Sequence, residues 1–328
     1  MRKFLATGLL AAVAAWPVHA QLKPSTPAEQ ALDAAAFQGV QRVLDERFTD
    51  IQSVVVVLQD RVVFAFHRDG QPDALRDIQS VEKSALAALV GVALAQGHLA
   101  SLDQPVASLL PAAWAAEQDD PRAAAITLRH LLTMTAGFAP GNQRSRSARA
   151  AWTRPLASAP GERFAYDNGA VPLVAAVLEA ATGQKVPDYA RRQLLAPMDI
   201  MEPAFRPGLY LRTLDMAKLG LLFLRDGRWS GRQLLPAQFV AEATRVQTAG
   251  GPPVGMPYGF FWWVLPQEAR RRTFLGSGFS GQMVWVHPPL DLVVAVTSTV
   301  SAQPRAPIQA TQLLRAGLVD AAARRAGR

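Results

Sequence analysis

The sequence predicts an α+β fold, an antiparallel sheet flanked by terminal helices with an all-helical lobe inserted between its two halves. Three observations predict it. A helical pattern and two short apolar runs, 54–58 and 62–66, open the mature chain. The middle third carries mostly helical periodicity, and the last third returns to strand patterns before a closing helix. Strands from both ends of a chain join one sheet with short connections when the helices between them form their own layer.

The first 20 residues stand apart. Met1-Arg2-Lys3, an apolar run over 4–18 and the exit Val18-His19-Ala20 are the parts of a secretory signal peptide. The run is shorter than the roughly 20 apolar residues of a membrane span. We therefore expect cleavage after Ala20, export to the periplasm or medium, and no stable membrane insertion afterwards. Residues 28–48 have apolar positions at helical spacing. Val54-Val55-Val56-Val57-Leu58 and Val62-Val63-Phe64-Ala65-Phe66, separated by a polar Gln59-Asp60, read as a hairpin. Residues 80–96 form an apolar helix closed by Gly97. Helical patterns follow at 127–135 (closed by Gly137), 171–182 (closed by Gly183), 214–225 and 236–244. Strands are expected at 258–265, 271–275, 282–286 and 292–298, and a last helix at 307–323 starts on Pro307, a favoured first helical position. Phe260, Phe261, Trp262 and Trp263 are read as strand core, with alternate members able to face a cleft. The domain reading is a signal peptide at 1–20, a discontinuous α/β lobe at 21–76 and 250–328, and a mainly helical lobe at 77–249.

Composition narrows the function. The chain has no cysteine, which excludes disulfides, thiolate metal sites, a cysteine nucleophile and a lipid-modified cysteine. Net charge is +8, carried almost wholly by arginine, since only five residues are lysine. The clusters Arg144/Arg146/Arg149, Arg270 to Arg272 and Arg324/Arg325/Arg328 read as solvated faces. No basic face with interleaved aromatics points to nucleic acid. No paired-histidine spacing points to zinc, and no G-x-S-x-G elbow is present. Gly276-Ser277-Gly278-Phe279-Ser280-Gly281 matches G-x-G-x-x-G literally, but a strand pattern follows it where a dinucleotide loop must open a helix. No cofactor is expected.

Ser80-Val81-Glu82-Lys83 carries the chemistry. Residues three apart at a helix start share a face, so the Lys83 amine can reach the Ser80 hydroxyl. A serine that only caps its helix would leave Lys83 badly placed, because a cation in the first turn opposes the helix dipole. The same misfit favours a neutral amine, the form a general base needs. Tyr166-Asp167-Asn168 is the second motif, drawn from only four tyrosines and two asparagines. Asn168-Gly169 before an apolar run is also ordinary turn-and-cap chemistry, so its weight comes from following Ser-x-x-Lys in order.

Ser80-Val81-Glu82-Lys83-Ser84, Ile126-Thr127-Leu128-Arg129-His130-Leu131-Leu132-Thr133-Met134-Thr135-Ala136-Gly137 and Tyr166-Asp167-Asn168-Gly169 together resemble the serine β-lactamase and penicillin-binding protein superfamily. The likeness is to its class C-like branch of esterases, D-amino-acid peptidases and aminohexanoate-oligomer hydrolases, and Asp103-Gln104-Pro105-Val106 and Gly227-Arg228-Trp229 also resemble stretches of that branch. The resemblance implies a β-lactamase/transpeptidase-like fold and a small-molecule substrate acylating Ser80. Lys83 and Tyr166 would share proton transfer, and Asn168 would hold Lys83 and the substrate carbonyl side. Backbone N–H groups of Ser80 and Phe279 would form the oxyanion hole. His130 is given no proton-transfer role. One departure stands out: the family's Lys-Thr-Gly is replaced by Gly276-Ser277-Gly278, which would line the substrate strand without a cation for a substrate carboxylate. An uncharged ester or amide is therefore expected, ahead of a β-lactam or a D-alanyl-D-alanine peptide; the reading of another class is a non-catalytic binding protein. N-terminal sequencing of the exported protein should begin at Gln21, and a start at Met1 would refute the signal-peptide reading.

Overall fold

The computed structural model describes residues 22–266, 273–301 and 306–324. The segment expected to be a signal peptide, with its expected cleavage site, and Arg270 to Arg272, Arg325 and Arg328 lie outside the described residues. Nine strands make the main sheet: β1 Lys23–Pro24, β2 Ile51–Leu58, β3 Arg61–His67, β4 Thr248–Gly251, β5 Met256–Tyr258, β6 Trp263–Val264, β7 Phe274–Ser277, β8 Met283–His287 and β9 Leu292–Ser298. Their order is β1-β3-β2-β9-β8-β7-β6-β5-β4, antiparallel except where β1 joins β3. The two ends of the chain meet at the β2–β9 ladder, where Val55 faces Ala295 and Val57 faces Val293. Gln59 and Asp60 turn the β2–β3 hairpin with φ of 48° and 60°, the left-handed pair whose twist suits a two-residue turn.

Both faces of the central strands are covered, which is why β2 and β9 are apolar without alternation. On one face α1 (Ala34–Glu46) sets Phe37 against Phe64 at 5.8 Å, beside the C-terminal helices. On the other lies the later helix Thr213–Leu224, in which Gly220 touches the sheet. A Cβ on Gly220 would lie 2.8 Å from Val284 Cγ1, 2.8 Å from Val293 Cγ1 and 3.1 Å from Val286 Cγ2.

The helical lobe is built around α2 (Glu82–Ala95), whose sequence is apolar on all sides and whose residues from Lys83 to Ala93 are buried except Leu86. α3 (Leu128–Leu132) packs on α4 (Val171–Thr182), and α4 and α6 (Ala237–Ala243) pack on α2; between α4 and α6 in the chain comes α5 (Thr213–Leu224, the helix bearing Gly220). Of these, α5 lies against the sheet, although its sequence position falls inside the span read as helical lobe. The last helix is interrupted: Ala306–Leu313 and Val319–Ala323 flank a kinked stretch at Gly317, where φ is 142°.

Three expected elements differ. The helix expected at 127–135 is only α3: Met134 takes a φ of 59°, and the carbonyls of Leu132, Met134 and Thr135 accept from Phe261, Ala165 and Gly161 N–H instead of continuing the helix. The strand expected at 258–265 is a hairpin instead. Gly259 N–H donates to Trp262 O, Phe261 takes a φ of 58°, and the turn drives Phe260, Phe261 and Trp262 into the core. Tertiary hydrogen bonds hold that apolar turn, Phe260 N–H to Ala243 O and Phe261 N–H to Leu132 O. The α2 start is the third, because Ser80 lies in a short 3₁₀ turn, Gln79–Val81, ahead of the helix.

Glycine chemistry gives a test of this packing. Gly220→Ala should destabilise the protein by about 1–3 kcal/mol, since stiff valine methyls must move. Gly39→Ala, in α1 with nothing within 4 Å of the added methyl, should stabilise by about 0.5–1 kcal/mol. Urea unfolding of both variants measures the pair.

Candidate active site

Four segments converge on Ser80. The residues entering it, Arg76–Asp77, pair with the ribbon Leu209–Leu211, and Ile78 N–H donates to Leu209 O. Gln79 sits at φ 50°, a costly conformation for a residue with a side chain. Asp77 holds it there, accepting from Gln79 N–H at 2.9 Å and from Gln79 Nε2 at 2.6 Å. The N-cap position of α2 is Val81, and no side chain caps it, so the Ser80 hydroxyl is not consumed as a helix cap. Instead Lys83 Nζ donates to Ser80 Oγ at 2.7 Å.

Lys83 is 4% exposed, and burial brings its amine down from the usual lysine range to about 8. Glu82 opposes that shift and Arg146 adds to it. Tyr166 is the second group beside the serine, close enough for the Ser80 hydroxyl to act on its phenol. Burial, chiefly, raises the Tyr166 phenol, with the Ser80 contact pulling the other way. The Lys83 nitrogen lies 5.3 Å from the Tyr166 ring centroid, and Trp263 stacks on that ring at 5.7 Å. Tyr258 closes the aromatic group edge-on, 6.3 Å from Tyr166 and 4.5 Å from Trp263. Alternation along a strand could not have shown this, because the hairpin turn is what brings Trp263 beneath Tyr166.

The Tyr166-Asp167-Asn168 loop hangs on its middle residue. Asp167 pairs with Arg154, a cation 13% exposed, and accepts from Gly169 N–H at 2.9 Å and Gln143 Nε2 at 3.1 Å. Asn168 N–H in turn donates to Gln143 Oε1 at 2.8 Å. Asn168 differs from the expectation: no hydrogen bond joins it to Lys83, and its buried Oδ1 is without a partner among the described residues. Gln143 was missed in the sequence, where nothing in an Arg-rich surface stretch marks it out.

The far wall of the site is the end of β7. A Cβ on Gly278 would lie 2.8 Å from Ile78 O and 3.1 Å from Gln79 Cβ, so this strand end is flush with the segment that carries Ser80. Phe279 follows, its side chain 53% exposed. No hydrogen bond engages the backbone N–H of Ser80 or of Phe279 among the described residues. The turn beyond is braced, because Ser280 Oγ donates to Ser301 O and Gln282 exchanges two hydrogen bonds with the Ser298 backbone. A β-strand, not a helix, follows the glycine-rich stretch, which disposes of the dinucleotide match. Gly276 faces the other way into packed atoms: its added Cβ would meet Ser84 Oγ at 2.9 Å, Trp262 Cζ3 at 3.5 Å and Val81 Cγ1 at 3.5 Å. Ser84 itself donates to Phe261 O at 2.9 Å, which locks the first turn of α2 to the aromatic turn. His130 lies outside the site, accepting Thr127 N–H on Nδ1 in a capping box. Among the described residues no cluster of acidic or histidine side chains could hold a metal, and no helix is long and apolar enough to cross a membrane.

A family model, Beta-lactamase, matches residues 40–318. The chain belongs to the β-lactamase family. Solved structures agree on the fold. The candidate β-lactamase of Bacteroides dorei superposes with a TM-score of 0.75 at 19% identity, over 89% of this chain and all of that one. EstCE1, a hydrolase with promiscuous acyltransferase activity, gives 0.69 at 18% identity over 88% and 99%. A candidate 6-aminohexanoate-dimer hydrolase of Bacillus anthracis gives 0.68 at 19% identity over 86% and 81%. This β-lactamase-family protein is thus a serine hydrolase with the β-lactamase/transpeptidase-like fold.

The crowding at Gly276 makes a prediction. Gly276→Lys should not install a carboxylate anchor; the side chain has no room beside Ser84 and Trp262. Its expected effect is a lower Tm and at least about tenfold lower ester turnover, from overpacking against the first turn of α2. Thermal unfolding and p-nitrophenyl ester assays measure both.

Proposed function

We propose that this protein is an exported serine hydrolase that cleaves an uncharged ester or amide through a Ser80 acyl-enzyme. The observation that carries the reading is the buried Lys83 amine 2.7 Å from Ser80 Oγ, brought down to about 8 by desolvation. A lysine in that state is partly neutral near physiological pH and can accept a proton. The Ser80 oxygen attacks the substrate carbonyl carbon as its proton passes to the Lys83–Tyr166 couple. The N–H groups of Ser80 and Phe279 receive the oxyanion that develops. Collapse expels the alcohol or amine, which takes the proton from the same couple, and water releases the acyl group by the reverse route. Asn168, whose buried Oδ1 has no hydrogen-bond partner among the described residues, would serve the substrate carbonyl side.

The substrate class follows from the third segment. Gly276-Ser277-Gly278 offers no cation where a β-lactam or peptide carboxylate would need one, and a charge-assisted contact is worth about 1.5–3 kcal/mol. The described activities of the neighbours, an acyltransferase-competent hydrolase and a candidate hydrolase of an amide dimer, fit an ester or amide. Export rests on the basic, apolar and small-residue order of the first 20 residues.

Hydrolysis of p-nitrophenyl butyrate should fall by about 10³-fold or more in Ser80→Ala. In the wild type kcat/KM should rise with pH and reach half its plateau near the Lys83 value of about 8, because the active form carries the neutral amine. Turnover unaffected by Ser80→Ala would remove the proposed nucleophile, and nitrocefin turned over as fast as the ester would overturn the uncharged-substrate reading.

A further inference from the structure

Glu82 lies inside the Ser-x-x-Lys segment, yet its carboxylate turns away from Ser80 and is pinned by two other elements. Oε1 takes Arg146 Nη1 at 3.2 Å, and Oε2 accepts Leu209 N–H at 3.3 Å. Arg146 comes from a braced loop, in which Arg144 N–H donates to Asn142 Oδ1 and Ser147 N–H to Ser145 Oγ. The two partners are unequally hydrated: the Glu82 side chain is 24% exposed and that of Arg146 is 64% exposed. A fixed, partly dehydrated anion and a more solvated cation therefore stand together at the rim, one residue from the catalytic amine.

We propose that Glu82 and Arg146 are positioning residues that govern the protonation of Lys83 with opposite signs. The inference rests on the Ser80–Lys83 reading above. Charged and titratable groups around Lys83 come from each neighbouring element. Glu82 is on its own helix, Arg146 on the 142–147 loop and Tyr166 on the loop before α4. Behind Tyr166 lies the buried Tyr258. Asp167 is committed to Arg154 and Asp77 to Gln79. Glu82 and Arg146 are paired with each other, so their effects on the amine partly offset: Glu82 stabilises the charged form and Arg146 disfavours it, the directions that Coulomb attraction and repulsion give for Lys83. Glu82 also raises the Tyr166 phenol, so the same carboxylate restrains both members of the proton couple. An ion pair with only a structural role would lower activity or stability without separating the signs of its two halves.

The test is the pH dependence of kcat/KM for p-nitrophenyl butyrate with the wild type, Glu82→Gln, Arg146→Gln and the double variant, at low ionic strength. Removing the anion favours the neutral amine, so the acid limb of E82Q should move down by about half a pH unit. Removing the cation favours the ammonium, so the limb of R146Q should move up by a similar amount, and the double variant should lie between them. High salt should shrink the R146Q shift, because that side chain is the exposed one. Limbs that stay in place, or that move in the same direction, overturn the proposal. If E82Q does not fold, R146Q decides by sign alone: an upward shift supports the inference and any other result overturns it. Failure of the underlying reading looks different, since wild-type turnover that survives Ser80→Ala removes the site and this inference with it.

Discussion

Desolvation of one lysine is the constraint on which the site depends. An amine in water is protonated; taking it out of water costs less when it is neutral, so burial favours the neutral form. In this protein the amine stands on α2, which is apolar all round, beside the Tyr166 ring, against which Tyr258 and Trp263 pack. The serine stays partly exposed while the lysine beside it does not. That difference arises because Ser80 lies in a 3₁₀ turn ahead of the helix and Lys83 in its first buried turn.

Everything around that pair is tightly built. The strained Gln79 is held by Asp77, Gly278 lets β7 close on the segment before the serine, and Gly276 lets the same strand pack on Ser84 and Trp262. The glycine that replaces the family's lysine is thus a packing residue here. The lack of a side chain at Gly276 is what allows β7 to lie this close to α2. The sheet supplies rigidity behind the site, since β2 and β9 are covered on both faces and the chain's two ends meet in that ladder.

The rim is where charge is managed. Arg146 belongs to a cluster that reads in sequence as a solvated face, but it pairs with Glu82, the residue before the lysine in the chain. Arg154 performs a separate task deeper in, gripping Asp167 so that Tyr166 and Asn168 keep their places. Neither role follows from the density of arginines along the chain, because both depend on which carboxylate the fold brings within reach.

The sequence by itself determined the fold class, the hairpin at 54–66, the helices at 80–96, 171–182 and 214–225 and the pairing of Ser80 with Lys83. Those features are local: helical and strand periodicity, left-handed turn positions and a three-residue spacing are written in neighbouring residues. Tyr166 was legible because rare residues stood together in the expected order. Tertiary structure alone decided the rest. It shortened the 127–135 helix to α3, folded the aromatic run at 258–265 into a turn that stacks Trp263 on Tyr166, detached Asn168 from Lys83 and joined Glu82 to Arg146. Each of these turns on a hydrogen bond or close contact between residues far apart in the chain. Such contacts override local preference because a buried backbone N–H or charge must find its partner wherever the fold supplies one.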